Sequence, residues 1–182
     1  MKPADIKNDL IYYTINHSNF DTKRDYISIS HIHLPAENLI DIYKHGFKST
    51  DETKLKCYKG YQMERDLIFR LKKIYGDRIK TNIEYQKGIV KGHPDFELDG
   101  IPGDCKSVLM DEWLPDKKLP MKVYWQIQGY LYLSQKRNAI LIYESRESGM
   151  LKVFEIFKND NFQNQIKTKL DKIYEYFEHK PG

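Results

Sequence analysis

The stretch best equipped for chemistry reads Gly92-His93-Pro94-Asp95-Phe96-Glu97-Leu98-Asp99-Gly100-Ile101-Pro102-Gly103-Asp104-Cys105-Lys106. Asp99-Gly100 is a turn dipeptide, so short strands on either side should pair as a hairpin. Asp95 and Asp104 can then face each other across the ladder. Two bare carboxylates that close repel unless one holds a proton or a cation sits between them. Oxygen donors without thiolate or dedicated histidine suit Mg²⁺ or Mn²⁺. Lys106 is two residues past Asp104 and shares its strand face. Its ammonium could hold an attacking water or offset charge developing on a phosphate. Cys105 points to the other face. Its backbone carbonyl is a candidate further metal ligand, and its thiol reads as core.

These residues need elements to position them. The spacing predicts a helix from Gly60 to Tyr75, with Met63, Leu67, Leu71 and Ile74 as the buried stripe and Gly76 as its stop. Glu64 then lies at the edge of that stripe, facing the same side as Ile68 and Leu71. Strands are expected within residues 79–90, at Asp95–Leu98 and at Asp104–Val108, followed by a Pro-containing loop over 109–120. A helix over 121–135, a doubly covered strand at Ala139–Tyr143, a strand at Leu151–Phe157 and a helix over 160–178 complete the core. Upstream, a helix over 3–16, a short strand at Tyr26–Ser30 and a helix from Pro35 to Gly46 are expected. Residues 47–59 read as a polar connector. The fold class is α/β: a central mixed sheet of about five strands flanked by helices, in the order α-β-β-β-α-β-β-α after the N-terminal helices.

Asp95, then Asp104-x-Lys106 across a hairpin, after a helix bearing Glu64, resembles the PD-(D/E)XK nuclease superfamily. Gly92-His93-Pro94-Asp95 looks like its Gly-x-x-Asp variant. Gln126-x-x-x-Tyr130 resembles the extra motif of the RecB-type exonuclease branch, and residues four apart share a helix face. The resemblance covers about residues 60–145. It departs in carrying Asp104 where Glu is commoner and Glu64 where many RecB-type members have His. It also lacks the four cysteines of the iron–sulfur members. It implies a restriction-endonuclease-like core in a single domain, with an N-terminal helical extension over 1–59, a catalytic core over 60–158 and a C-terminal helix over 159–182. It implies that Asp95 and Asp104, with the Cys105 carbonyl, bind one or two Mg²⁺ or Mn²⁺ ions. Glu64 would bind or orient a metal-linked water, and Lys106 would position the nucleophile. Gln126 and Tyr130 would hold the substrate backbone or buttress Lys106.

The activity implied is hydrolysis of DNA phosphodiester bonds, as an exonuclease in recombination, repair or phage DNA processing. The alternatives are an endonuclease of the same fold or a non-catalytic nucleic-acid-binding module. DNA is the expected partner, with a homo-oligomer or a recombination protein as further possibilities.

Composition narrows the remainder. The chain has 182 residues and a formal net charge of +4, enough length for one domain with a core. Mean hydropathy is −0.70 and no apolar run approaches the roughly 20 residues of a membrane span. No signal peptide is recognisable at the start. Two cysteines, Cys57 and Cys105, cannot build a four-thiolate site, and a reducing cytoplasm, in a bacterial cell or phage-infected host, is the expected compartment. His31-x-His33 has the spacing of two ligands on a strand but lacks a third. Trp125 reads as core, whereas Trp113, in a polar loop, could stack on a base or serve as a lid. The charge is uneven: residues 51–92 hold 11 basic against 6 acidic residues, whereas residues 95–116 hold seven acids and one base, Lys106. A basic surface beside an acidic cluster suits metal-dependent attack on a polyanion.

Overall fold

A computed structural model of the chain describes residues 23–109 and 119–179. The expected helix over 3–16, most of the loop over 109–120, and Trp113 lie outside them.

The main sheet has five strands: β2 (Ile79–Lys80), β5 (Phe96–Leu98), β6 (Ile101–Val108), β7 (Asn138–Ser145) and β8 (Leu151–Phe157), in the order β2-β5-β6-β7-β8. All neighbours are antiparallel except β6 and β7, which run parallel. A parallel pair needs a crossover, and helix α3 (Met121–Ser134) supplies it. A smaller sheet holds β1 (Ile27–Ser28), β4 (Val90–Gly92) and β3 (Tyr85–Lys87) in that order. The mixed five-stranded sheet flanked by helices is the architecture the residue pattern implied.

Two apolar layers sit on the main sheet. The larger gathers Leu39 of helix α1 (Ala36–His45), Ile127 and Leu131 of α3, Leu141 of β7, and Ile166, Leu170 and Ile173 of helix α4 (Asp160–Glu178). The smaller holds Leu67 of helix α2 (Asp51–Tyr75) with Ile79, Phe96, Cys105 and Ile142. Asn159 caps α4 by accepting from the Phe162 N–H at 3.2 Å. Buried Gln128 on α3 donates to the Phe157 carbonyl at 2.8 Å and accepts from the Asn159 N–H at 3.0 Å, which ties α3 to the end of β8 and the start of α4. Among the described residues no helix is long and apolar enough to cross a membrane.

Three expectations need correction. The segment over 47–59 is not a connector throughout, because α2 begins at Asp51 and not at Gly60. Its first turns carry no apolar stripe. They are stabilised by the Thr50 cap, which accepts from the Thr53 N–H at 3.2 Å, by Asp51 and Glu52 at the positive end of the helix dipole, and by a Glu52–Lys56 pair at 2.8 Å. The stripe on α2 is also shorter than its spacing suggests: Leu67 is buried, but Ile74 is 71% exposed. Finally, Tyr26–Ser30 pairs only at Ile27–Ser28 before turning into a 3₁₀ helix at Ile29–His31.

One ion pair fastens α2 to the sheet. Arg70 Nη2 donates to both carboxylate oxygens of Glu144 on β7, at 2.6 and 2.7 Å. The Glu144 side chain is 10% exposed and that of Arg70 38%. Removing one partner of a fully buried pair costs about 3–5 kcal/mol, and water around Arg70 screens part of that. Arg70→Ala should therefore lower the urea unfolding free energy by about 2 kcal/mol. The apolar double replacement Arg70→Met with Glu144→Leu should recover most of the loss.

Candidate functional site

The hairpin of β5 and β6 sets the geometry. Its turn residues have φ of 53° at Asp99 and 78° at Gly100, as a two-residue turn of this type requires. The pairing runs Leu98 with Ile101, Glu97 with Pro102 and Phe96 with Gly103. Extending that register by one step sets Asp95 opposite Asp104, as the sequence implied. Gly103 is required by contact: a Cβ there would lie 2.1 Å from Phe96 Cζ. The Phe96 ring lies over the bare backbone of the opposite strand.

Asp104 is fully buried. Its Oδ1 accepts from Gln126 Nε2 at 3.1 Å. Its Oδ2 forms an ion pair with the Lys106 ammonium. Gln126 Nε2 also donates to the Tyr130 hydroxyl oxygen at 2.8 Å, and that hydroxyl donates to the His93 carbonyl at 3.0 Å. Gln126 and Tyr130, one turn apart on α3, thus act as a pair, and they link α3 to the segment just before Asp95. Asp95 Oδ2 accepts from the Cys105 backbone N–H at 2.6 Å. The Cys105 side chain is buried in the smaller apolar layer. Burial, then the Asp95 and Asp104 carboxylates, push its thiol well above the usual range, so it stays protonated.

The electrostatics are those of too many acids around one base. Burial, then the neighbouring Asp104 charge, holds the Asp95 carboxyl well above the ordinary carboxylate range, against the pull of Lys106. Burial likewise raises Glu64 on α2; Lys106 opposes that shift and Asp104 adds to it. Glu64 is therefore within electrostatic reach of the hairpin, where its helix position aimed it. Burial works to lower the Lys106 pKa, but Asp104 and Asp95 outweigh it, and the ammonium stays charged. Tyr130 is pushed far up by burial and then by Asp104 and Asp95, and remains a donor.

The structure thus brings together Glu64, Asp95, Asp104, Lys106, Gln126 and Tyr130. One neighbour was not singled out from sequence. Tyr143 on β7 pairs in register with Lys106, its hydroxyl is buried without a hydrogen bond among the described residues, and burial chiefly pushes its pKa up to about 12. It sits inside the apolar run Ile140-Leu141-Ile142-Tyr143, where a polar tip gives no periodic signal.

His31 and His33 do not lie on a strand. His31 ends the 3₁₀ helix against the Phe47 ring, at 5.1 Å between centroids, and burial chiefly lowers its pKa to about 4. His93 is exposed and pairs with Glu84 at 3.1 Å. Trp125 is half-buried, edge-on to Phe162 and under the Lys169 ammonium.

Among the described residues, no three His, Cys, Asp or Glu side chains converge into a ready-made metal cage. The donor set still fits a hard divalent cation. It is all oxygen, it carries three acids against one lysine, and Mg²⁺ characteristically takes one or two carboxylates and fills its shell with water. The raised Asp95 and Glu64 values mark a place where positive charge is wanted.

A cleft of about 660 Å³ opens beside these acids. Glu64 and Asp95 line it, together with Arg65, Phe69 and Lys72 of α2 and His93.

The crowding of acids should be visible in stability. A carboxyl whose folded pKa is raised binds its proton more tightly folded than unfolded, so stability falls as pH climbs from the unfolded to the folded value. The penalty therefore grows as pH rises above the ordinary carboxylate value. Asp95→Asn removes it and keeps an oxygen for the Cys105 N–H. The variant should be more stable than wild type at pH 7 by about 1 kcal/mol, roughly 2–4 °C in Tm. The gap should close as pH approaches about 4. Thermal scans at pH 7 and pH 4.5 check this.

No family model and no curated protein matches the sequence. Solved structures do match in fold. The alkaline exonuclease LHK-Exo from Laribacter hongkongensis superposes with a TM-score of 0.62 at 10% identity, covering 94% of this chain and 92% of that one. Its complex with dAMP gives 0.64 at 12% identity, over 87% and 91%. A phage-related exonuclease from Haemophilus somnus 129PT gives 0.61 at 13% identity, over 84% and 93%. The chain therefore has the fold of these exonucleases, over most of its length and most of theirs.

Proposed function

We propose that this protein is a divalent-metal-dependent nuclease that hydrolyses DNA phosphodiester bonds from an end, a member of the PD-(D/E)XK nuclease superfamily. The observation that carries this is the coupled set of Asp95, Asp104 and Lys106 on one hairpin, with Glu64 facing it from α2. The fold shared with exonucleases supports it, as does the dAMP bound to LHK-Exo, a nucleoside monophosphate of the kind that trimming an end releases.

Asp95 and Asp104, with the Cys105 carbonyl, would hold Mg²⁺ or Mn²⁺, and Glu64 would orient water beside them. A cation held there would supply positive charge to a phosphate oxygen and would acidify a water. Lys106, fixed by Asp104, is a charged donor for the nucleophile or a phosphate oxygen. Gln126 and Tyr130 hold Asp104 in its rotamer, so they are positioning residues. Trp113, outside the described residues, would serve as a base-stacking residue or a lid. DNA processing in recombination, repair or phage replication, in the cytoplasm, is the setting this chemistry serves.

The test is incubation of end-labelled linear DNA and closed circular DNA with Mg²⁺, Mn²⁺ or EDTA. Linear DNA should be degraded with either metal and spared in EDTA, and circles should persist. Cut circles would instead mark an endonuclease, and intact DNA in every arm would end the catalytic reading. Asp104→Ala and Lys106→Ala should each lose about 10²–10³ in rate. Gln126→Ala, acting through Asp104, should lose about 10- to 100-fold.

Asp95 and Glu64 must be ionised to bind a cation, and both are held toward the protonated form. The rate should therefore rise with pH through an inflection above the ordinary carboxylate range, measurable as a pH–rate profile at fixed Mg²⁺.

A further inference from the structure

Among the described residues, the helix that carries Glu64 has a face that packing does not use. Tyr61 and Phe69 are 50% and 58% exposed, although both are large and apolar. They are eight residues apart on α2, with Glu64 and Arg65 between them, so all four lie along one side of the helix. Both rings line the cleft that Glu64 and Asp95 also line, and so do Arg65 and Lys72. The Arg65 guanidinium stands over the Tyr61 ring at 5.8 Å, and Lys72 reaches across to the Thr81 hydroxyl at 3.0 Å. Glu84, the remaining acid of the cleft, is already answered by Lys91 at 3.1 Å and by His93.

We infer that this cleft is a track for a single nucleic-acid strand, with bases stacked on Tyr61 and Phe69 and phosphates met by Arg65 and Lys72. The charge decides the occupant. Exposed rings alternating with cations are what an unpaired strand needs, because every base has a face to stack and every step has a phosphate to neutralise. A duplex hides its base faces and would make no use of the rings. Tyr61 to Phe69 spans about 12 Å of helix, the reach of three to four stacked base steps at about 3.4 Å. Glu64 lies between the two rings, so a strand on this track crosses the acidic hairpin with bases held on both sides of it. The track rests on the nuclease reading only for what happens to that strand; binding itself does not require cleavage.

The experiment measures fluorescein-labelled dT12 binding by anisotropy in EDTA, with a blunt closed hairpin duplex as the second probe. Tyr61→Ala and Phe69→Ala should each weaken dT12 binding by roughly 5- to 100-fold, and leave duplex binding within twofold. Phe69→Trp should restore dT12 affinity, and its added indole fluorescence should be quenched on binding. Arg65→Gln and Lys72→Gln should each reduce the log–log salt slope by about 0.7. If wild type fails to bind dT12, or both alanine variants bind it within twofold of wild type, the track is overturned. The same holds if the indole is not quenched in a Phe69→Trp variant that binds dT12. Dependence on the two rings without any cleavage in Mg²⁺ or Mn²⁺ would keep the track and remove the nuclease reading. Cleavage that ignores both rings would do the reverse.

Discussion

A buried carboxylate at Asp104 is the constraint around which the rest is arranged. A charge taken fully out of water costs several kcal/mol unless it is paired and hydrogen-bonded. Asp104 meets that cost from two directions: Lys106 two residues along its own strand, and Gln126 from the crossover helix α3. Gln126 is itself held by the Tyr130 hydroxyl, whose proton goes to the His93 carbonyl. One chain of hydrogen bonds therefore runs from the residue two before Asp95 to the strand that carries Asp104. The parallel pairing of β6 with β7 forces the chain through a helical crossover, and that crossover brings Gln126 over β6.

The pairing of Asp104 does not make the cluster electrically comfortable. Lys106 is one cation, and Asp95 and Glu64 remain beside it with their ionised forms disfavoured. A site built for stability alone would replace one of these acids. Local arrangements that cost stability persist where the chemistry of the site uses them. Here the arrangement is an acidic cluster on a hairpin, around a lysine whose pKa Asp104 and Asp95 raise against its burial.

Much of this was legible in the residues. The alternation and turn signals around Asp99-Gly100 gave the hairpin register to the residue, because a two-residue turn leaves no freedom in the pairing. Leu151–Phe157 and Asp160–Glu178 fall where their periodicities put them. What escaped was what packing and local electrostatics decide. The first turns of α2 are held by a cap and an ion pair, not by an apolar face, so hydrophobic spacing could not find them; Thr50 followed by two acids was the signal available. Ile74 keeps helical spacing but has no sheet beneath it, and the Arg70–Glu144 pair joins residues 74 positions apart. Tyr143 looks like core until β7 sets it opposite Lys106.

The two faces of the sheet divide the labour unequally. The larger apolar layer, under α1, α3 and α4, buries long aliphatic side chains from three helices. The layer under α2 holds five buried residues among those described, to which the helix contributes Leu67, with half-buried Leu71 packed against them. Burial at about 25 cal/mol per Å² puts most of the stabilisation on the first face. Helix α2 is then free to leave Tyr61, Phe69 and Ile74 in solvent, because its attachment rests on Leu67, half-buried Leu71 and the Arg70–Glu144 pair. Segments with few buried contacts open at lower cost than the global fold. Glu64 rides on such a segment while Asp95, Asp104 and Lys106 ride on the hairpin, so the acids of the cluster are anchored through two different sets of contacts.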